Sequence, residues 1–141
     1  MPVVVDTSFM RALLLDDEPG HEEAQRLAKC MDAVIVPSIV VHELVWSTRR
    51  SHGAVRAQVV ASYVLGEPRF IYEPVTRDDA WFAIRDPRRY EDLLVLHVAM
   101  RLGAPLATFD KNLARLASRY RVLLHRCGTD PERLGEFISQ S

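Results

Sequence analysis

The chain has 141 residues, 48% hydrophobic and 26% charged, with a formal net charge of -1. That length suits a single domain over residues 1–141 and can bury about two-thirds of its unfolded surface without structural metals or disulfides. The balanced charge excludes a strong nonspecific attraction to polyanions, so any nucleic-acid contact must come from local patches.

Val3 to Val5 form a short apolar run without alternation, as expected of a strand buried on both faces of a parallel sheet. Ser8 is placed to cap a helix reaching about Leu15. After the Pro19-Gly20 break, Ala24, Leu27, Ala28 and Met31 recur at helical spacing over about three turns. Ala33 to Val36 reads as a second strand. Pro37-Ser38 opens a helix carrying Glu43 to about Arg50, and another runs from about Ala54 to Leu65, where Gly66 ends it. Phe70 to Val75 gives a third strand, with Pro74 marking an end or an edge. Thr76 and Asp79 have capping-box spacing before a short helix to about Ile84.

Asp86-Pro87-Arg88-Arg89 is a basic loop into a strongly apolar helix from Tyr90 or Glu91 to Leu102. Leu106 to Thr108 is a fourth strand; Leu113, Leu116, Ala117 and Tyr120 mark a helix, and Val122 to Leu124 a fifth strand. Asp130-Pro131-Glu132 opens a terminal helix with Leu134, Phe137 and Ile138 on its apolar side. Strands alternating with helices predict an α/β fold: three layers, α/β/α, around a mostly parallel five-stranded sheet with right-handed crossovers.

No apolar run approaches the ~18 residues of a membrane span. The start of the chain lacks a charged n-region and a long h-region, so an intracellular, cytoplasmic protein without a secretory leader is expected. Cys30 and Cys127 lack CxxC spacing and are expected as buried thiols.

Four acids sit where apolar runs hand over to the next element: Asp6 after the first strand, Asp110 after the fourth, Glu43 and Asp92 near helix starts. In a parallel sheet the carboxyl ends of all strands open onto one edge, where such sheets bind ligands. Each acid also has an ordinary explanation, as a helix cap or a solvated side chain. Glu91 lies on a similar stripe to Asp92, and spacing does not choose between them. Carboxylates brought together raise one another's pKa values unless a cation compensates. An all-oxygen site favours Mg²⁺ or Mn²⁺ over zinc, and such an ion supports phosphodiester hydrolysis.

Asp6-Thr7-Ser8, Val36-Pro37-Ser38-Ile39-Val40-Val41-His42-Glu43-Leu44, Asp92-Leu93-Leu94-Val95-Leu96-His97-Val98-Ala99 and Leu106-Ala107-Thr108-Phe109-Asp110 together resemble the PIN-domain family. The order and spacing, from Val3 to at least Leu124, are most similar to small VapC-type toxins. The resemblance implies a Mg²⁺ or Mn²⁺ dependent endoribonuclease with Asp6, Glu43, Asp92 and Asp110 as the catalytic, metal-binding quartet. It favours Asp92 over Glu91 and gives Thr7 or Thr108 the role of holding a carboxylate or a metal-bound water. Asn112 stands where many members carry a further acid, which argues against a second metal. For the toxin branch it also implies a homodimer and a small antitoxin partner.

Arg85, Arg88 and Arg89, just before Asp92, are candidates for positioning the RNA backbone, against a plain solvated loop. Arg49, Arg50, His52 and Arg56 read as surface, and His97 as a hydrogen-bonded core residue. Other functions fit less well. Phosphate-accepting receivers need an acidic pair after strand one, and haloacid-dehalogenase-type phosphatases need a second Asp where Ser8 stands. No GxGxxG or Walker A run exists. A housekeeping RNA-processing nuclease and a PIN-like binding or scaffold protein remain as alternatives.

Overall fold

The computed structural model describes residues 1–127. In chain order the elements are β1 Val3–Val5, α1 Thr7–Leu14, α2 His21–Ala28, β2 Val34–Pro37, α3 Ser38–His52, α4 Ala54–Gly66 and β3 Phe70–Glu73. There follow α5 Arg77–Ala83, a 3-10 turn Pro87–Arg89, α6 Tyr90–Leu102, β4 Leu106–Ala107 and α7 Lys111–Arg119. The strands form one sheet in the order β3-β2-β1-β4. All three pairings are parallel, with Val4 opposite both Ile35 and Leu106. The architecture is the expected α/β one, a parallel sheet with helices packed on it.

β1 is central and wholly buried, which is why its three valines show no alternation. From β1 the chain moves outward through β2 to the edge strand β3, then crosses back to β4 on the other side of β1. The order reverses between β1 and β4, and in open parallel sheets that switch point opens the crevice that binds ligands. Asp6 and Asp110 follow the two strands that flank it.

α6 is apolar on nearly every side because it is enclosed: Leu93, Leu94, Val95, Leu96, Val98 and Ala99 are all buried. It packs against β1, α3, α5 and α7 and ends at Gly103, whose left-handed backbone (φ 61°) closes the helix. Among the described residues no helix is long and apolar enough to cross a membrane.

Some expectations change. Among the described residues the sheet has four strands, and the expected fifth is reduced to one parallel bridge between Leu106 and Leu124. β4 offers only two residues to pair with, so the backbone exchanges one pair of bonds: Leu106 N donates to Leu123 O at 2.9 Å and His125 N to Leu106 O at 2.7 Å. α2 stops at Ala28, and Met31 reaches the core from the turn beyond it. The cap of α1 is Asp6, whose carboxylate accepts from Phe9 N at 2.9 Å; Ser8 lies inside the helix. Cys30 and Cys127 are a disulfide, with a Cα–Cα distance of 5.3 Å across a sequence separation of 97. The contact is nonlocal: the segment after the Leu124 bridge returns to the end of α2, where His125 Nε2 lies 3.1 Å from Leu27 O. The terminal helix expected from Asp130 lies outside the described residues.

Candidate active site

Asp6 is buried at the end of β1. Besides Phe9 N, its carboxylate is held by Ser8 Oγ, 2.8 and 2.9 Å from the two oxygens, and by Thr108 Oγ1, which donates to Oδ2 at 2.5 Å. Thr108 Oγ1 in turn accepts from Asp110 N at 2.9 Å, and Phe109 N donates to Ser8 Oγ at 3.0 Å. These bonds tie the ends of β1 and β4 together. Asp110 caps α7, its Oδ1 accepting from Asn112 N at 2.8 Å and Leu113 N at 3.3 Å. Ser8 was not singled out as part of the site, because its hydroxyl meets Thr108 only when the two strands lie side by side.

Glu43 is in the second turn of α3 and Asp92 in the first turn of α6, both half-buried. The acids influence one another. Burial raises the Asp92 carboxyl to about 6, with Asp110, Asp6 and Glu91 pushing the same way and Arg89 opposing. Burial likewise raises Glu43 to about 7, helped by the charge of Glu91, while a hydrogen bond from Thr7 opposes the shift. Asp6 is also raised, chiefly by burial, against the bonds from Thr108, Phe9 N and Ser8. Each direction is what crowding of carboxylates away from water produces.

Glu91 and Asp92 therefore both serve this acidic edge. One residue turns an α-helix by about 100°, so Glu91 reaches Glu43 while Asp92 faces Asp6 and Asp110. The choice of Asp92 alone left Glu91 out.

Beside Asp92 is a cavity of about 660 Å³ whose walls include Arg85, Arg88, Arg89 and Asn112. The basic loop before α6 thus borders the acids. Arg88 and Arg89 stand 3.7 and 3.8 Å from Asp86. Asn112 accepts from Arg115 Nη1 at 3.2 Å through its side-chain oxygen. His97 is hydrogen-bonded as expected but only partly buried, with Nδ1 2.6 Å from Asp79 Oδ1 and its ring stacked on Phe82.

The donor chemistry fits a hard cation: carboxylates, largely removed from water, whose charged forms disfavour one another. Among the described residues, no group of three or more His, Cys, Asp or Glu side chains is already drawn together to metal-holding distances. Two of the acids are committed to helix caps, and mutual repulsion favours separation of the rest.

The sequence model of the PIN domain matches residues 3–119. No curated protein sequence matches the chain. Among solved structures the chain is similar to VapC20 of Mycobacterium tuberculosis, a toxin that cleaves the sarcin–ricin loop. That likeness has 25% identity and a TM-score of 0.72, covering 81% of this chain and 94% of the other. It is also similar in fold to VapBC2 of Rickettsia felis, solved bound to a DNA fragment from its promoter. There the identity is 17% and the TM-score 0.63, covering 88% of this chain and 97% of the other. The family match begins at the first residue of β1 and ends with the last residue of α7, so it takes in the whole sheet and every acid of the edge: the chain belongs to the PIN domain family.

Proposed function

We propose that the protein is a Mg²⁺ or Mn²⁺ dependent endoribonuclease, the toxin of a toxin–antitoxin pair, acting through Asp6, Glu43, Asp92 and Asp110. The observation that carries the reading is electrostatic. At the topological switch point, Asp6, Glu43 and Asp92 all have carboxyls raised by burial, and neighbouring acids add to the shift at each. A protein gains no stability from such crowding, and a divalent cation relieves it.

Bound there, the cation would supply a water of lowered pKa and neutralise charge developing on phosphate. Asp6, Asp92 and Asp110 would hold it, with Glu43 completing the set. Thr108 and Ser8 orient the Asp6 carboxylate, Thr7 orients Glu43, and Asn112 borders the site next to Asp110. Glu43, raised to about 7 without the cation, would be held ionised once the cation is bound. Arg85, Arg88 and Arg89 position the RNA backbone along the adjoining cavity.

The toxin role is supported by the likeness to a VapC toxin. A small antitoxin partner and a homodimer belong to that role, as does a single-domain chain working in the cytoplasm. The Cys30–Cys127 bond would be open to reduction in that compartment.

The test uses the purified protein and Asp6→Asn with a pool of structured RNAs, in Mg²⁺, in Mn²⁺ and in EDTA. Asn still caps a helix, so the fold should persist. Cleavage that needs both metal and Asp6 is expected. Full cleavage by the variant, or in EDTA, would overturn the assignment.

A further inference from the structure

Arg11 pairs with Glu18, Arg26 with Glu23, and Arg101 with Glu73 and Asp79. The cavity beside Asp92 gathers four arginines, Arg85, Arg88, Arg89 and Arg119. Arg119, from the end of α7, lines it without a carboxylate partner among the described residues. Arg85 lines it as well. Its guanidinium lies over the Phe82 ring at 3.9 Å and near the Tyr120 ring at 5.8 Å, with Nε donating to Phe82 O at 2.9 Å. That holds the guanidinium against aromatic rings at the cavity wall. Tyr120 also lines the space, its ring held edge-on to Phe82 at 5.2 Å.

Four guanidiniums thus surround a space of about 660 Å³ whose acids are Asp86 and Asp92. Four arginines against two acids leave an excess of positive charge that calls for an anion, and the guanidinium fork suits phosphate. The half-exposed aromatic wall calls for a flat ring. The volume is within the ~300–1,000 Å³ that takes a compact ligand. Phosphate and flat ring side by side describe a nucleotide, and the shared wall at Asp92 joins the cavity to the acidic edge.

Resting on the nuclease reading, we infer that this cavity is a subsite for one nucleotide flanking the cleaved bond, its phosphate on Arg119 and Arg85 and its base against Tyr120. Arg119 and Tyr120 are then substrate-positioning residues, beyond the basic loop that precedes α6.

The test is binding of a short fluorescein-labelled single-stranded RNA to Asp6→Asn protein in EDTA, over a range of salt. Arg119→Ala should weaken binding and reduce the slope of log affinity against log salt by about 0.7, the share of one phosphate on a single strand. Tyr120→Ala should weaken binding by about 5- to 100-fold with the slope unchanged, as loss of one stacked base does. Tyr120→Phe should bind like the parent, which separates stacking from loss of fold. Lys29→Ala, at the end of α2 and outside the cavity lining, should change nothing. Parental binding by both Arg119→Ala and Tyr120→Ala overturns the subsite and leaves the nuclease reading intact. Equal binding of a poly-glutamate peptide, insensitive to Tyr120→Ala, overturns it in favour of an acidic polypeptide. RNA cleavage that survives Asp6→Asn removes the assignment of cleavage to the acidic edge, while the binding losses would still mark a nucleotide site, no longer one beside the cleaved bond.

Discussion

α6 touches two groups of carboxylates with opposite character. Toward its C-terminal end, His97 and Arg101 meet Asp79 of α5, a wholly buried acid. Burial by itself would raise the Asp79 carboxyl, but bonds from Arg101, Thr76 N and His97 outweigh it and hold the group below its ordinary value. Arg101 extends the network to Glu73 at 2.8 Å and to Pro74 O at 3.1 Å. At the N-terminal end of the same helix, Glu91 and Asp92 face Glu43, Asp6 and Asp110, and the carboxyls of Asp6, Glu43 and Asp92 are raised. The first group is complete within the chain, because each charge has its counter-charge and its donors. The second has acids, hydroxyls and caps, with Arg89 the cation noted against Asp92. One acid cluster is compensated within the chain, and the other only in part.

The contrast can be broken most sharply at Asp92. Asp92→Asn should reduce cleavage by about 10²–10³-fold, the usual cost of one charge-stabilising group in an active site. It should also leave the melting temperature equal or higher, since a crowded charge is removed. A single-turnover assay with a thermal melt reads both, and a large loss of stability would place Asp92 in the structural class. Next in size is Arg101→Met, which strands Asp79 in the interior and should cost about 2–4 kcal/mol of stability in urea unfolding. Cleavage per folded molecule should be unchanged.

The pH dependence of the metal-free protein should show both groups at once. Asp92 and Glu43, raised in the folded state to about 6 and about 7, bind more protons folded than unfolded above about pH 4. Stability should therefore fall as pH rises from about 4 to 7. Asp79, lowered in the folded state, contributes stability above its ordinary value of 3.8 that is lost as pH falls below it. Asp92→Asn should flatten the neutral limb and Arg101→Met the acid limb, read by melts across pH. Added Mg²⁺ should raise the melting temperature more at pH 8 than at pH 5, and equal shifts at both would count against a carboxylate site. Smallest is Glu91→Gln, which removes a charge that raises the Glu43 carboxyl. The Glu43 carboxyl, followed by NMR, should titrate lower, with a gain in stability of less than about 1 kcal/mol, as for other half-exposed charge pairs.

Much of this was legible because it is local. The Thr76–Asp79 capping box forms, with Thr76 N donating to Asp79 Oδ2 at 2.8 Å and Asp79 N to Thr76 Oγ1 at 3.2 Å. The same spacing could not show that Asp79 is also the buried counter-charge of Arg101, which lies 22 residues away. Glu91 shared a stripe with Asp92, and only the approach of α3 to α6 gave it a partner in Glu43.

By itself the sequence determined the alternation of strands and helices, the enclosed α6, and the placing of acids after β1 and β4. Periodicity, caps and chain breaks act over a few residues and need nothing else. The tertiary structure decided the rest. Packing brought Ser8 to Thr108, Cys30 to Cys127, and Arg119 with Tyr120 to the wall beside Asp92. It also shortened the fifth strand to one bridge. Each of these depends on where crossovers return the chain, and a crossover's path is set by how whole elements pack against one sheet.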